Sequence, residues 1–266
     1  MRETFHSAKG HEPNSGQDRR RSGDEWIYGL NPVLEAVRAG RRVKTVFLSA
    51  SRREQLAGIE REIVSRKIML KKADQVFFDT RFPKGHQGIA AVVARREYAE
   101  LEDMLRIPSL KGEAPFFLVL DCIEDPRNFG AILRTADAGS VHGVVIQSHR
   151  SATLVPEAVK ASAGAAEYIP VAMVANVKHA MADMKEMGLF IIGAEAGVDR
   201  TIWDLDLGVP LALVIGSEGK GLRKTVREDC DVLVSLPMMG RVNSLNVSVA
   251  AAVMIYEILH QRMRKM

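Results

Sequence analysis

From residue 114 to the C-terminus the chain repeats one pattern, a short run of consecutive apolar residues followed by a helix-forming segment. The runs are FFLVLD, GVVIQ, EYIPVA, LFIIGAE, LALVIG and DVLVSLP, with helical stretches over roughly 128–140, 153–163, 176–187 and 221–229 and a long last helix over about 245–264. Strands that are apolar without alternation are buried on both faces, and strands alternating with helices pair in parallel. The pattern predicts an α/β unit with a parallel sheet covered on both sides. Such sheets bind ligands beyond the carboxyl ends of their strands, so the segments directly after strands carry the search for chemistry.

Ahead of this unit lies a second, smaller α/β pattern. It opens at WIYGLNPVLEAVRAG, where Asn31-Pro32 starts a helix and Gly40 ends it. The strand VKTVFLS, the helix REQLAGIEREIVSRK, the short strand IMLKK and the strand GIAAVVAR follow. Residues 98–113 read as a short helix running into a Pro/Gly/Ser linker. Residues 1–24 contain no Ile, Leu or Val and cannot bury enough surface to offset ordering, so a disordered tail is expected there. The expected organisation is a tail over 1–24, a small domain over 25–97, a linker over 98–113 and a catalytic domain over 114–266.

Charge separates along the same lines. Residues 25–97 hold fifteen Lys/Arg against eight Asp/Glu, net +7, whereas residues 98–266 carry net −4. A basic unit tethered to an acidic one fits a polyanion held by the first, or else a surface made soluble by lysines. No apolar run approaches the ~20 residues of a membrane span, and no charged-then-apolar leader opens the sequence, so a cytoplasmic protein is expected. Cys122 and Cys230 lack metal-knuckle spacing and the seven His form no ligand pair, so no metal is expected. The two thiols read as buried and reduced.

Three segments carry candidate chemistry. In DCIEDPRNFGAILRTADAG, Asn128 is placed to cap a helix and Arg134 lies six residues on; taken alone, they read more simply as a plain cap and a surface or ion-pair residue. LVIGSEGKGL is neither a Walker A loop nor GxGxxG, and Glu218 within it would repel a phosphate. Glycines that admit a ligand beside a carboxylate suit a cationic or zwitterionic cofactor. In LPMMGRVNSLNVSVAAAV, a capped helix with a small-residue face accounts for Ser244. It accounts less well for the cluster of Asn243, Asn246 and Ser248.

Taken together, NFGAILRTADAG (128–139), IGSEGKGL (215–222) and LPMMGRVNSLNVSVAAA (236–252) resemble the three signature motifs of the SpoU/TrmH branch of the SPOUT methyltransferases. YGLNPVLEAV (28–37) and HQGIAAVV (86–93) resemble the ends of the L30e-like RNA-binding domain joined to some members. RSATLVPEAVKASAGAAEYIPV (150–171) is similar to bacterial 23S rRNA guanosine 2′-O-methyltransferases. The similarity spans about residues 26–264. It implies a deep trefoil knot, a rare exception to ordinary chain topology, and a homodimer binding S-adenosylmethionine (AdoMet) at Ala194, Gly216, Leu236 and Leu245. It implies a reaction site at Asn128, Arg134, Glu218, Ser244 and Asn246, with an RNA ribose 2′-hydroxyl as substrate. Asn243 stands where many members have Glu or Ser. The target expected from the resemblance is a guanosine of 23S rRNA; tRNA or an rRNA adenosine is the alternative. A nucleotide-dependent oxidoreductase lacks its glycine fingerprint here, and a non-catalytic RNA-binding protein would have no use for Asn128, Arg134 and Asn246 together.

Overall fold

The computed structural model describes residues 23–265 apart from Asn243. The tail expected over 1–24 lies outside the described residues except for Gly23 and Asp24, and Asp24 already begins a strand.

The first unit is a four-stranded sheet in the order β1 (Asp24–Tyr28), β4 (Ile89–Ala94), β2 (Val43–Ser49), β3 (Met69–Ala73). β4 pairs antiparallel with β1 and β2, whereas β2 and β3 run parallel. Helices α1 (Leu30–Arg38) and α2 (Arg53–Ser65) cover one face, where Ile27, Val46, Leu48, Ala91 and Val93 are buried with Val33, Ala36 and Ile63. The opposite face carries Trp26, Tyr28, Phe47 and Ala90 under α3 (Gln75–Arg81). Sequence reading supplied neither β1 nor α3. The only local signal for α3 is Asp74, whose side chain accepts from the Phe77 amide as an N-cap.

The second sheet is parallel throughout, in the order β10 (Val232–Val234), β8 (Phe190–Ala194), β9 (Leu211–Ile215), β5 (Phe116–Leu120), β6 (Gly143–Gln147), β7 (Val171–Val174). All five residues of β5 are buried, because successive side chains serve opposite faces. Phe116, Leu118 and Leu120 pack under α5 (Pro126–Ala138), α6 (Pro156–Ala161) and α9 (Val247–Met263). Phe117 and Val119 pack under α4 (Leu101–Lys111), α7 (Val177–Glu186) and α8 (Lys224–Glu228).

Two expectations shift. The segment read as a linker is helical as far as Lys111, Pro108 included, and its Met104 and Leu105 are buried in the core of the second sheet. EYIPVA starts its strand late, at Val171, because residues 165–167 form a 3-10 turn. Cys122 and Cys230 are only half-buried and sit just outside strands. No helix among the described residues is long and apolar enough to cross a membrane, and no three His, Cys, Asp or Glu among them group as metal ligands.

Candidate active site

The loops following β5, β8, β9 and β10 meet at one end of the parallel sheet and enclose two adjoining cavities. The first, about 420 Å³, is lined by Ala194, Glu195, Gly216, Glu218, Ser235, Leu236, Ser244 and Leu245, with Val247, Ala250 and Met254 of α9 as its apolar wall. The second, about 430 Å³, lies over the N-terminal end of α5 and is lined by Asp125, Asn128, Arg150, Lys220 and Arg223 among others. Ser217, Glu218, Gly221 and Val247 border both.

The two cavities differ in charge. The first presents Glu195 and Glu218 and no Lys or Arg, so it favours a cation and disfavours a phosphate-bearing nucleotide. The second sets Arg150, Lys220 and Arg223 beside Glu124, Asp125 and Glu218, a mixed lining whose three cations can meet an anionic backbone.

The glycine loop is the wall between them. Ser217 and Gly221 exchange backbone hydrogen bonds, each 3.0 Å, closing the loop on itself. A Cβ on Gly216 would lie 2.2 Å from the Gly221 carbonyl carbon, so only glycine permits this closure. The end of the loop is tied down by the fully buried Asp121, which accepts from the Arg223 amide at 2.8 Å and from its guanidinium Nε at 2.6 Å. Arg223 also donates to Gln147 at 2.7 Å, and Glu195 accepts from the Leu222 amide at 3.3 Å. Sequence reasoning missed Asp121, Arg223 and Glu195. Their signal was modest: two of them are acids immediately after an apolar strand, where a carboxylate must find a partner.

A line of side chains crosses the shared wall. Asn246 Nδ2 donates to Asn128 Oδ1 at 3.0 Å, and Asn128 Nδ2 donates to Glu218 Oε2 at 3.2 Å. These three residues come from segments 90 and 118 positions apart in sequence. Asn246 is itself the N-cap of α9, accepting from the Ser248 amide at 2.9 Å, so Ser244 is not the cap but an exposed loop residue lining the first cavity. Asn128 is likewise not a cap: Asp125 caps α5, with Pro126 in the first turn, and Asn128 projects from that turn.

The structure therefore brings together Ala194, Gly216, Leu236, Leu245 and Ser244 around one cavity; Glu218 borders both cavities, Asn128 lines the second, and Asn246, which lines neither, is tied in through its bond to Asn128. Arg134 is not among them. It is exposed on α5, outside both cavities of this chain.

With this geometry in view, residues 115–256 match the SpoU rRNA methylase family and residues 26–99 match the RNA 2′-O ribose methyltransferase substrate-binding family. The chain belongs to the SpoU methylase family. A Bacillus subtilis protein assigned to the TrmH family of tRNA/rRNA methyltransferases is 41% identical over 239 residues, covering 90% of this chain and 96% of that one. A Staphylococcus aureus protein assigned likewise is 38% identical, covering 90% and 97%. The SpoU methyltransferase AviRb of Streptomyces viridochromogenes superposes with a TM-score of 0.77 at 26% identity, covering 93% of each chain. Its AdoMet complex gives a TM-score of 0.75 over 92% of each chain. As a SpoU methylase the chain is an AdoMet-dependent RNA methyltransferase with a substrate-binding domain ahead of its catalytic domain.

Proposed function

We propose that this methylase modifies a ribose 2′-hydroxyl in structured RNA, at a guanosine of 23S rRNA, and works as a cytoplasmic homodimer with a trefoil-knotted catalytic domain. The observation that carries the reading is the Asn246–Asn128–Glu218 line, whose Glu218 end borders both a cation-favouring cavity and one with three cations that can meet an RNA backbone. Residues 25–97 act as the L30e-like RNA-holding domain, and 98–113 join it to the catalytic domain over 114–266.

The first cavity fits AdoMet by its carboxylates, its apolar wall and the backbone approach that Gly216 permits, with Ala194, Gly216, Leu236 and Leu245 as contacts. AdoMet supplies a methyl group already activated on a sulfonium. What remains for the protein is alignment of a weak hydroxyl nucleophile, which is worth at best roughly 7–11 kcal/mol. Asn128, fixed from both sides by Asn246 and Glu218, orients the ribose, and the Ser244 hydroxyl faces the same space. The Arg134 guanidinium offers N–H donors and no acceptor, and so serves as a fork for the target phosphate and 2′-oxygen, offsetting negative charge as it develops. Because Arg134 lies outside the cavities of its own chain, this role draws on the homodimer, whose second copy would bring it to the site. Arg134→Ala is expected to lower methyl transfer at least ~10²-fold while calorimetric AdoMet affinity stays unchanged; a near-normal rate removes the role. Mixing Arg134→Ala with Asn128→Ala protein is expected to restore activity, since mixed dimers hold one intact site.

The names of the relatives cover tRNA as well as rRNA, and an rRNA adenosine is a further alternative. Mapping ribose methylation across rRNA and tRNA in cells with and without the gene decides among them. Loss of a single 2′-O-methylguanosine in 23S rRNA is the expected result, and unchanged rRNA would overturn it.

A further inference from the structure

A third cavity, about 430 Å³, lies where the small domain meets the catalytic one, and none of the three motifs accounts for it. Its volume falls within the roughly 300–1,000 Å³ of small-molecule sites. One wall is aromatic. Trp26 and Tyr28, two residues apart on β1, share a face of the sheet and each lie 5.5 Å from the Phe82 ring between centroids. The Arg81 guanidinium sits 5.8 Å from the Trp26 ring centre and 5.0 Å from that of Phe77. The other wall belongs to the catalytic domain, where Pro156 and Glu157 begin α6.

Phe78 and Phe82 are buried, whereas Trp26, which also packs on Phe47 and Phe77, is half-buried and keeps part of its surface free for a ligand. Besides Arg81, two polar residues line the same cavity, Glu157 and Tyr28, the latter only 5% exposed. The Glu157 side chain is half-exposed, and its one ion-pair neighbour among the described residues is Arg127, at 4.0 Å. The Tyr28 hydroxyl makes no hydrogen bond within the described residues. Burial and, secondly, the charge of Glu157 push its pKa up, so it remains a donor. An aromatic surface with a guanidinium is how proteins stack unpaired bases. The Watson–Crick edge of guanine offers two N–H donors to a carboxylate and one carbonyl acceptor to a hydroxyl. Adenine and uracil do not offer that set.

We propose that this cavity holds an unpaired guanine of the substrate RNA, stacked on the free surface of Trp26 beside Phe82, with its N1 and N2 protons on Glu157 and its O6 accepting from Tyr28. The base is a second one, distinct from the methylated nucleotide. Arg127, the residue before Asn128 on α5, comes within 4.0 Å of Glu157, which puts the cavity at the end of α5 that carries Asn128. The inference rests on the reading of the chain as an RNA ribose methyltransferase, and its test does not use methyl transfer.

The chain has two tryptophans, and Trp203→Phe leaves Trp26 as the sole tryptophan, excited selectively over the four tyrosines at long wavelength. The protein so changed is titrated with dye-labelled uridine heptanucleotides carrying a central guanosine, adenosine or cytidine, and with the same sequences as duplexes. Emission reports the cavity and anisotropy reports binding. The expected result is quenching of Trp26 by the single-stranded guanosine oligomer at about tenfold higher affinity than the others. Glu157→Gln, at an exposed position, should abolish that preference while leaving AdoMet affinity unchanged. RNA bound with no change in Trp26 emission overturns the site, as do equal quenching by duplexes and no RNA binding at all. A guanosine preference that survives Glu157→Gln overturns the assigned contacts. Absence of ribose methylation in the cellular map, with the quenching intact, would instead count against the methyl-transfer reading.

Discussion

Gly216 and Asn128 show two ways in which one residue can govern this site. Gly216 matters for what it lacks. Adding a methyl group there drives carbon to within 2.2–2.4 Å of the Gly221 backbone, which is hydrogen-bonded to Ser217 and cannot move alone. Gly216→Ala is expected to cost about 1–3 kcal/mol in overpacking and to weaken AdoMet binding at least tenfold. Thermal unfolding with and without AdoMet checks this, and an unchanged ligand-induced rise in Tm would contradict it. Asn128 matters for what it connects, donating to Glu218 and accepting from Asn246. Asn128→Ala should leave AdoMet binding alone yet slow single-turnover methyl transfer about 10²-fold, the order of loss that accompanies a misplacement of about 1 Å. An AdoMet affinity that collapses with the rate would show that Asn128 belongs to the cofactor pocket instead. Both residues stood out in the sequence, one in a glycine loop after a strand and the other at a helix start. Their partnership did not, because nothing local says that residues 128, 218 and 246 meet.

Among the elements, the parallel sheet was the most legible. Runs such as FFLVL and LALVI are buried on both faces, and burial of that kind writes itself into consecutive apolar residues. Short elements hidden in mixed sequence were not legible. β1 begins in polar residues, and α3 has its apolar residues grouped as Val-Phe-Phe without helical spacing. α4 was half-read, since Pro108 and Ser109 resemble a linker until packing of Met104 and Leu105 on the sheet shows why the helix persists. α9 carries a signal of another kind. Its buried side holds Ala251, Met254, Ile255 and Ile258, yet Val249, Val253, Tyr256 and Met263 form an exposed stripe at spacings of four, three and seven. Next to it, Met239 and Val242 are among the most exposed apolar residues of the chain. An apolar stripe on a helix that also walls the first cavity fits the face of the proposed homodimer. Val253→Arg combined with Tyr256→Asp touches no buried residue, so folding should survive. Sedimentation is expected to show a halved mass, and methyl transfer should fall with it. A variant that keeps both its mass and its rate would place the dimer contact elsewhere.

At the scale of the whole molecule, the two sheets are joined by more than chain connectivity. One apolar cluster runs from Ile27, Val33 and Ala36 of the small domain to Phe129, Ala158 and Val159 of the catalytic domain. Around it lie polar ties across the same boundary. Tyr168 donates to Glu35 at 2.6 Å, a bond that, with burial and the same carboxylate's charge, pushes the phenol up to about 12. Lys160 donates to Gln87 at 3.1 Å. The strongest tie is Glu167, whose side chain is 1% exposed and accepts from Arg41 at 2.9 Å and Arg96 at 2.8 Å. Arg41, itself 9% exposed, also reaches Glu25 and the Ala94 carbonyl. A buried ion pair adds little net stability, because desolvation consumes most of the attraction. Removing one partner is different, since it strands charge in a poor solvent at a cost of about 3–5 kcal/mol. Glu167→Ala should therefore unfold at lower urea, with two guanidiniums left competing for Glu25 and one carbonyl. If the ion cluster also sets the angle between the domains, the loss will not be confined to stability. Small-angle scattering of the folded variant should broaden relative to wild type, and the KM for structured RNA should rise more than kcat falls, because the reaction site is untouched. A variant that is destabilised with scattering and KM unchanged would reduce Glu167 to a packing role. A variant as stable as wild type would mean that the freed arginines find water at this boundary, and that the apolar cluster alone holds the two domains in register.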